Sequence, residues 1–309
     1  MPLYLSEADV EALLTPAQTV PAIEESFRRL AAGGVVNVPR RRVPLENGSF
    51  ALMAATDPAL GYAGVKSYTV VEGKAVFVVC LFDLEDGRLA GVVEADSLGQ
   101  RRTGAATAVA ARYLARPGAS SLGVIGCGRQ AAAQVDAIRA TVPTIDRVVA
   151  YCRTPEKLTA FCREVGAQPA ENHREAGSQD VVVTVTTSAD PVLRGEWLVE
   201  GAFVAAVGAN DPRKRELDDV VLERTTFVCC DSIEQARLES GDLIEPIQNG
   251  VLDWLEVHEL QEVVAGEARG RQTDGDIVLF KSNGIAAWDV AAGVEVLRRA
   301  RERGVGREL

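Results

Sequence analysis

The sequence predicts an α/β protein in which a doubly wound parallel sheet is inserted into an α+β domain, and three observations carry that reading. From residue 121 to residue 280, short β-branched apolar runs alternate with helical patterns, as parallel strands joined by crossover helices require. Between residues 49 and 95 similar runs follow one another directly, with only DP, EGK and EDG turns between them, which suits an antiparallel sheet. The final segment, GIAAWDVAAGVEVLRRARERG, returns to a helical period and sets Ile285, Val290, Val294 and Leu297 near one face. A helix of that kind packs back onto the first domain, so the chain visits that domain twice.

In order along the chain, SEADVEALL and PAQTVPAIEESFRRLAAGG read as helices, the second stopped by Gly33 and Gly34. Arg40, Arg41 and Arg42 follow in what reads as a surface loop, and strands are expected at 49–55, 61–70, 75–83 and 88–95. The alanine-rich run TGAATAVAARYLARPG forms a helix from Thr103, closed by Pro117 and Gly118, that bridges to the second domain. Beyond it, strand patterns at 121–126, 147–151, 180–185, 202–207, 226–230 and 276–280 alternate with helices near 129–141, 155–165, 234–240 and 254–264. The expected boundaries are 1–115 plus 285–309 for the first domain and 116–284 for the second.

At 309 residues the chain is long enough for two cores. Hydrophobic residues make up 47% and charged residues 25%, as in an ordinary globular protein. A net charge of −11, from 33 basic and 44 acidic residues, repels polyanions and anionic bilayers, so neither nucleic acid nor membrane is an expected partner. The N-terminus lacks the pattern of a signal peptide, and no apolar run approaches the roughly 20 residues of a membrane span; a cytoplasmic protein is expected. The six cysteines form no CxxC pair and no zinc-like grouping with His173 and His258, so they read as small buried residues and no metal site is expected.

The stretch LGVIGCGRQAAAQ, residues 122 to 134, places Gly126, Gly128 and Ala131 in a GxGxxA turn between a strand and a helix. The first glycine permits the tight turn, the second lets backbone approach a pyrophosphate, and the third small residue lets helix pack on strand. The strand before the turn, the helix after it and the next strand RVVAY are the context a Rossmann-like dinucleotide site demands. An acidic residue that accepts the ribose 2′-hydroxyl belongs just past Tyr151. Here the chain has Cys152, Arg153 and Thr154, with Lys157 one turn on. Arg153 suits a 2′-phosphate, so NADP(H) is favoured and NAD(H) is the alternative.

Candidates for substrate chemistry are cationic: Arg41 in VPRRRVP, Lys66 in GVKSYTV and Arg102 in LGQRRTGAA. Lys66 interrupts a strand whose residues 64, 66, 68 and 70 share a face, where a lysine either snorkels from a sheet edge or serves a site. Arg102 suits a substrate carboxylate or a solvated helix end.

The segments VNVPRRRVP, GVKSYTV, DSLGQRRTGAATAVAARYLA, GVIGCGRQA, VGANDPRKRELDD and LFKSNGIAAWDVAAG, spread in this order over essentially the whole chain, resemble the ornithine cyclodeaminase and mu-crystallin family. The resemblance implies a homodimer whose Rossmann-like domain is inserted between two halves of a substrate-binding and dimerisation domain. It implies that Arg41, Lys66 and Arg102 bind the carboxylate of a small α-imino or α-amino acid, with Lys66 also placed for proton transfer. On the cofactor side it implicates Thr103, Gly126, Gly128, Arg129, Gln130, Arg153, Thr154, Lys157, Thr186, Val207, Gly208, Ser282 and Gly284.

Two positions depart from the family pattern. Where the cyclodeaminase and alanine dehydrogenase branches carry an aspartate in the VGA-x-x-P motif, this chain has Asn210, with Asp211 one place later; either is a candidate to face the site. Asparagine hydrogen-bonds but cannot act as a general base. Where some cyclodeaminases hold ornithine's distal amine with an acid before an LM pair, the chain has Ala51. The leading expectation is therefore an NAD(P)H-dependent oxidoreductase acting on C=N or CH–NH bonds: a ketimine or pyrroline-2-carboxylate reductase, or an amino-acid dehydrogenase. Ornithine cyclodeaminase is the enzymatic alternative, and a crystallin-like ligand-binding protein the non-catalytic one.

Overall fold

Strand β1 (Leu3–Leu5) leads into the helices Glu7–Leu13 and Pro16–Ala31. The first starts on a capping box: the Ser6 hydroxyl accepts the Asp9 amide and the Asp9 carboxylate accepts the Ser6 amide, pairing two N–H groups that a helix start leaves open. Strands β2 (Val36–Leu45), β3 (Gly48–Asp57), β4 (Tyr62–Val71), β5 (Lys74–Asp83) and β6 (Leu89–Glu94) then run as hairpins. The arginines at 40–42 thus lie in a strand rather than a surface loop. With a short terminal strand, Arg307–Glu308, these make a seven-stranded sheet in the order terminal strand, β1, β6, β5, β4, β3, β2, antiparallel except where β1 joins β6. The computed structural model describes all 309 residues, and this sheet belongs to the unit formed by Met1–Ala105 and Gly284–Leu309.

Helix Ala286–Arg303 covers one face of that sheet. Its approach is close because glycines face it: a Cβ on Gly64 would lie 2.7 Å from Val290 Cγ2, and one on Gly91 would lie 3.2 Å from Leu297 Cδ1. Val290 and Leu297 are buried, as the helical period predicts, and Val294 is half-buried. Helix Asp96–Leu114 carries the chain onward, and the division between units falls within it, at Ala105, rather than after it. Because this helix starts at Asp96, Arg102 and Thr103 lie inside it and not at its start.

The second unit, Ala106–Asn283, is built on an eight-stranded sheet, all of whose pairings are parallel. Its strands are β7 (Ser121–Ile125), β8 (Arg147–Tyr151), β9 (Gln168–Pro169), β10 (Val181–Thr184), β11 (Phe203–Ala206), β12 (Phe227–Cys230), β13 (Val257–Glu259) and β14 (Val278–Lys281). The order is β13-β12-β14-β11-β10-β7-β8-β9. From β7 the chain proceeds outward to β8 and β9, then returns to β10 on the other side, so the strand order reverses between β7 and β10. The ends of those two strands define the crevice in which a doubly wound sheet binds its ligand. The helix expected at 254–264 is divided: the segment opens on a turn of 3₁₀ helix, continues as β13 and becomes helical at Leu260–Ala265. No helix of the chain is long and apolar enough to cross a membrane.

Adding one methyl at Gly64 forces Val290 off the sheet, since Leu81 and the Cys80 carbonyl crowd the same point at 3.1 and 3.2 Å. Gly64→Ala should therefore lower unfolding free energy by about 1–3 kcal/mol, the usual cost of overpacking, read as a fall in the urea midpoint with the m-value unchanged.

Candidate active site

On the first unit, cations gather around one acid. Lys66 projects from the middle of β4 on the face that helix Ala286–Arg303 covers, where its register partners are Met53 on β3 and Val79 on β5. Lys66, Arg102 and Arg40 are 4%, 6% and 7% exposed, and Asp289 is 1% exposed. The Lys66 ammonium lies 2.8 Å from Asp289 Oδ1 and donates to it; Arg102 Nε donates to the same oxygen at 3.1 Å. Arg40 Nη2 donates to the Gly284 carbonyl at 3.4 Å. Burial pushes the Lys66 pKa down to about 8, with Arg102 and Arg40 adding to the fall and Asp289 opposing it. Burial alone would raise the Asp289 carboxyl, but Arg102 and Lys66 outweigh it and hold the group below its ordinary value. Arg102 Nη1 is buried without a hydrogen-bond partner. Gly284, at φ +79°, lies against that guanidinium so closely that a Cβ would come within 2.6 Å of Nη1.

Arg41, the arginine expected in this cluster, is exposed; Arg40 takes the buried place. The cause is a β-bulge. Asn37 pairs with Ala55 on the inner face of β3, and regular alternation would turn Arg41 inward as well. The register instead slips between Val38 and Arg41, which puts Arg41 opposite Leu52 on the outer face. Both Pro39 and Arg40 are buried as a result.

At the switch point of the second unit, Gly126 adopts φ +111°, and a Cβ there would lie 2.6 Å from the Val185 carbonyl. Its amide donates to the Tyr151 carbonyl at 2.8 Å. Gly128 has open space where a side chain would stand, and Arg129 beside it is exposed. Helix Ala131–Thr141 starts at Gln130 without a side-chain cap, and Gln130 Oε1 is buried without a partner. Room for backbone approach at Gly128 and a helix start without a side-chain cap fit the pyrophosphate of a dinucleotide. At the end of β8, Arg153 and Lys157 are exposed, with Glu156 next to the lysine in the first turn of helix Pro155–Val165, which Thr154 starts without a side-chain cap.

Buried charges, none of them anticipated, brace the far strand ends. Glu216 accepts the amide of Thr186 at 2.6 Å and that of Gly208 at 2.7 Å. Asp242 accepts the Glu216 and Leu217 amides and lies 2.9 Å from Lys281 Nζ, which donates to the Ala209 carbonyl at 2.7 Å. Burial and the nearby Asp242 push the Glu216 carboxyl up, against the pull of Lys281 and the Thr186 amide. Asp231 accepts the Ser282 hydroxyl at 3.0 Å and the Asn283 amide at 2.8 Å. The signal for Lys281 was a lysine ending the otherwise apolar run IVLFK.

Several expected residues have other engagements. The Thr103 hydroxyl is spent on the Gly99 carbonyl one turn back, at 2.7 Å. Ser282 is tied to Asp231, and Val207 continues β11 by donating to Thr184. Gly284 stands with the cations of the first unit rather than with the dinucleotide turn. Asp211 is clasped by its neighbour: Arg213 donates from Nε at 2.9 Å and Nη2 at 2.7 Å, and that pairing holds the Asp211 carboxyl down to about 2. Asn210 is exposed. Cys80, Cys127 and Cys152, read from sequence as buried, are only half so.

A model of the ornithine cyclodeaminase/mu-crystallin family matches residues 2–304. The chain is 35% identical to an alanine dehydrogenase of Archaeoglobus fulgidus over 327 aligned positions, covering 99% of this chain and 98% of the relative. It is similar to the solved structure of Thermococcus litoralis Delta(1)-pyrroline-2-carboxylate reductase in complex with NADH and L-proline, with a TM-score of 0.94, 30% identity and coverage of 99% and 100%. An archaeal alanine dehydrogenase dimer with bound NAD gives a TM-score of 0.93 at 34% identity, covering 100% of this chain and 98% of that one.

Because Asp289 is the one acid among these cations, Asp289→Asn should destabilise the chain by about 3–5 kcal/mol, the usual cost of leaving buried charge uncompensated, measured by urea denaturation at neutral pH.

Proposed function

This chain belongs to the ornithine cyclodeaminase/mu-crystallin family, and we propose that it is an NAD(P)H-dependent reductase of α-imino acids, equivalent in reverse to an amino-acid dehydrogenase. The observation that carries the proposal is the charge balance on the first unit. Lys66 and Arg102 share one carboxylate in a nearly dry place that also buries Arg40, and Arg102 Nη1 lacks a partner. Buried donors need acceptors. A substrate carboxylate supplies both the acceptor and a second negative charge.

In this reading Arg40 and Arg102 hold the carboxylate, and Lys66 orients the acid and keeps a proton at Nζ for the imino nitrogen. A bound reduced nicotinamide supplies the hydride that adds to the imino carbon. Positioning and charge, rather than covalent chemistry, are the protein's contribution. The engagement of Asp211 with Arg213, beside an asparagine at position 210, supports reduction over ornithine cyclisation, which in the family pattern uses a carboxylate there. Arg153 and Lys157 support NADP(H) over NAD(H), although the similar enzymes above were solved with NADH or NAD. Exposed valines on β2, with Val36 61% and Val43 48% exposed, support a homodimer. The free cysteines suit a reducing compartment such as the cytoplasm.

Arg40→Ala and Lys66→Ala should each lower kcat/KM by at least about a hundredfold, as loss of a charged contact in a desolvated site does, while NADPH binding followed by fluorescence is retained. Arg41→Ala should change kcat/KM less than about threefold, within the range of a surface substitution. Since Lys66 loses its proton as pH rises through about 8, reductive kcat/KM should be flat below that value and fall above it. A profile unchanged in Lys66→Arg would remove the lysine from the proton step.

For the cofactor, kcat/KM with NADPH should exceed that with NADH. Arg153→Ala should narrow the difference by about tenfold or more, the worth of one charge-assisted pair, with NADH kinetics unchanged.

A further inference from the structure

The two segments that leave β10 and β11 at the crevice of the second unit meet on one residue. Thr186, just past β10, donates its amide to Glu216 Oε1 at 2.6 Å, while Gly208 and Ala209, just past β11, donate theirs to Oε2 at 2.7 and 3.2 Å. The backbone of the same residue takes two more: the Glu216 carbonyl accepts the amides of Val192 and Leu193 at 2.8 and 2.9 Å. Glu216 therefore closes the loop that begins at Gly208 and ties it to the loop after β10. The two loops are in contact, since a Cβ on Gly208 would stand 2.2 Å from the Thr186 amide nitrogen. Glu216 is fully buried. A buried carboxylate gives up its hydration at a cost, and the amides of an exposed loop are satisfied by water without it. What the acid adds is a single fixed arrangement of both loops.

The strand order gives these loops a place on the ligand. A dinucleotide lies across the switch point between β7 and β10, one nucleotide half to each side. In the reading above Arg153, at the end of β8, stands on the adenosine side. The loops after β10 and β11 then fall to the nicotinamide half.

We infer that Glu216 is a positioning residue for the nicotinamide half of the dinucleotide, setting the loops after β10 and β11 in the one arrangement that receives the ring and its ribose. It acts through their backbone amides rather than by contact with the cofactor. This rests on the dinucleotide site proposed above. Glutamine at this position has the same shape, but its amide nitrogen turns a donor toward the donors of one loop or the other. Aspartate keeps the charge and is one methylene too short to serve both loops at once.

The test measures binding to the full-length protein by calorimetry, for NADPH and NADH and for the fragments that lack nicotinamide, adenosine 2′,5′-bisphosphate and ADP-ribose. Glu216→Gln should weaken the dinucleotide that the wild type binds more tightly by about tenfold or more, the scale of a buried donor left unpaired, and its fragment by less than about threefold, within the range of a remote substitution. Glu216→Asp should separate the two in the same direction. Val228→Ala, a truncation in the core of the same sheet, controls for lost stability: it should lower the thermal midpoint and leave dinucleotide and fragment unseparated. On the wild type itself, amide hydrogen exchange in residues 186–193 and 208–216 should slow with the dinucleotide and not with its fragment, a comparison that needs no variant to fold. Binding is read without substrate, so an enzyme that reduces no imino acid while showing this separation upholds the inference and counts against the reductase reading alone. Equal weakening of dinucleotide and fragment in the Glu216 variants, unchanged affinity for both, or equal protection of the two loops by the fragment would overturn it. A wild type that binds none of these nucleotides would overturn it together with the cofactor reading.

Discussion

One oxygen atom, Asp289 Oδ1, holds the first unit's chemistry together, because two cations share it where water is largely excluded. Three like charges at this spacing would not stay buried unaided; each would lose its hydration and repel the others. The acid sits in the first turn of helix Ala286–Arg303, so its position depends on how that helix beds on the sheet. That bedding depends in turn on the absence of side chains at Gly64 and Gly91. Packing and charge are therefore one problem here. The helix that completes the core also delivers the counter-ion, and Asp289 leaves the cluster still cationic, ready for an anionic ligand.

The second unit solves a different problem with a similar device. The ends of parallel strands present backbone amides with no strand to receive them. Glu216 collects those of Thr186 and Gly208, and Asp242 collects those of Glu216 and Leu217. Lys281 offsets part of the resulting negative charge and ties in Ala209. On the other side of the switch point, the amides after Gly126 have no such acid: helix Ala131–Thr141 starts uncapped. Where the protein supplies its own carboxylate the loop is braced, and where it withholds one the helix start is left without a side-chain partner.

The parallel sheet, the returning helix and the glycine turn were legible because each rests on a local rule: period, turn chemistry, or the sterics of φ near +111° at Gly126. Arg41 was misplaced because alternation is only as good as its register, and the bulge between Val38 and Arg41 is marked in the sequence by Pro39 alone. Asp289, Glu216 and Asp242 were passed over for a related reason. An acid in a helical or loop sequence reads as solvated surface, and only tertiary contact makes it a buried partner, across 223 residues from Lys66 to Asp289 and across 26 from Glu216 to Asp242. The helix expected from Thr103 fell short at its start because Asp96 to Arg102 carry no strong period, although the helix begins at Asp96.

Asn210 and Asp211 show how fine the margin between chemistries is. An acid–base role needs a carboxylate free to take and release a proton near neutrality. Asp211 has the group but not the freedom: three hydrogen bonds from Arg213 hold its carboxyl down to about 2. Asn210, exposed beside it, carries an amide that cannot take up a proton near neutrality. On the first unit, Lys66 is drawn toward neutrality: its pKa of about 8 comes from burial first, with the neighbouring arginines lowering it further. A lysine so tuned is charged when it meets a carboxylate and close enough to neutrality to part with its proton once the imino nitrogen gains basicity. In the reading proposed above, the proton comes from a lysine that a buried carboxylate, Asp289 at 2.8 Å, holds in place on the first unit.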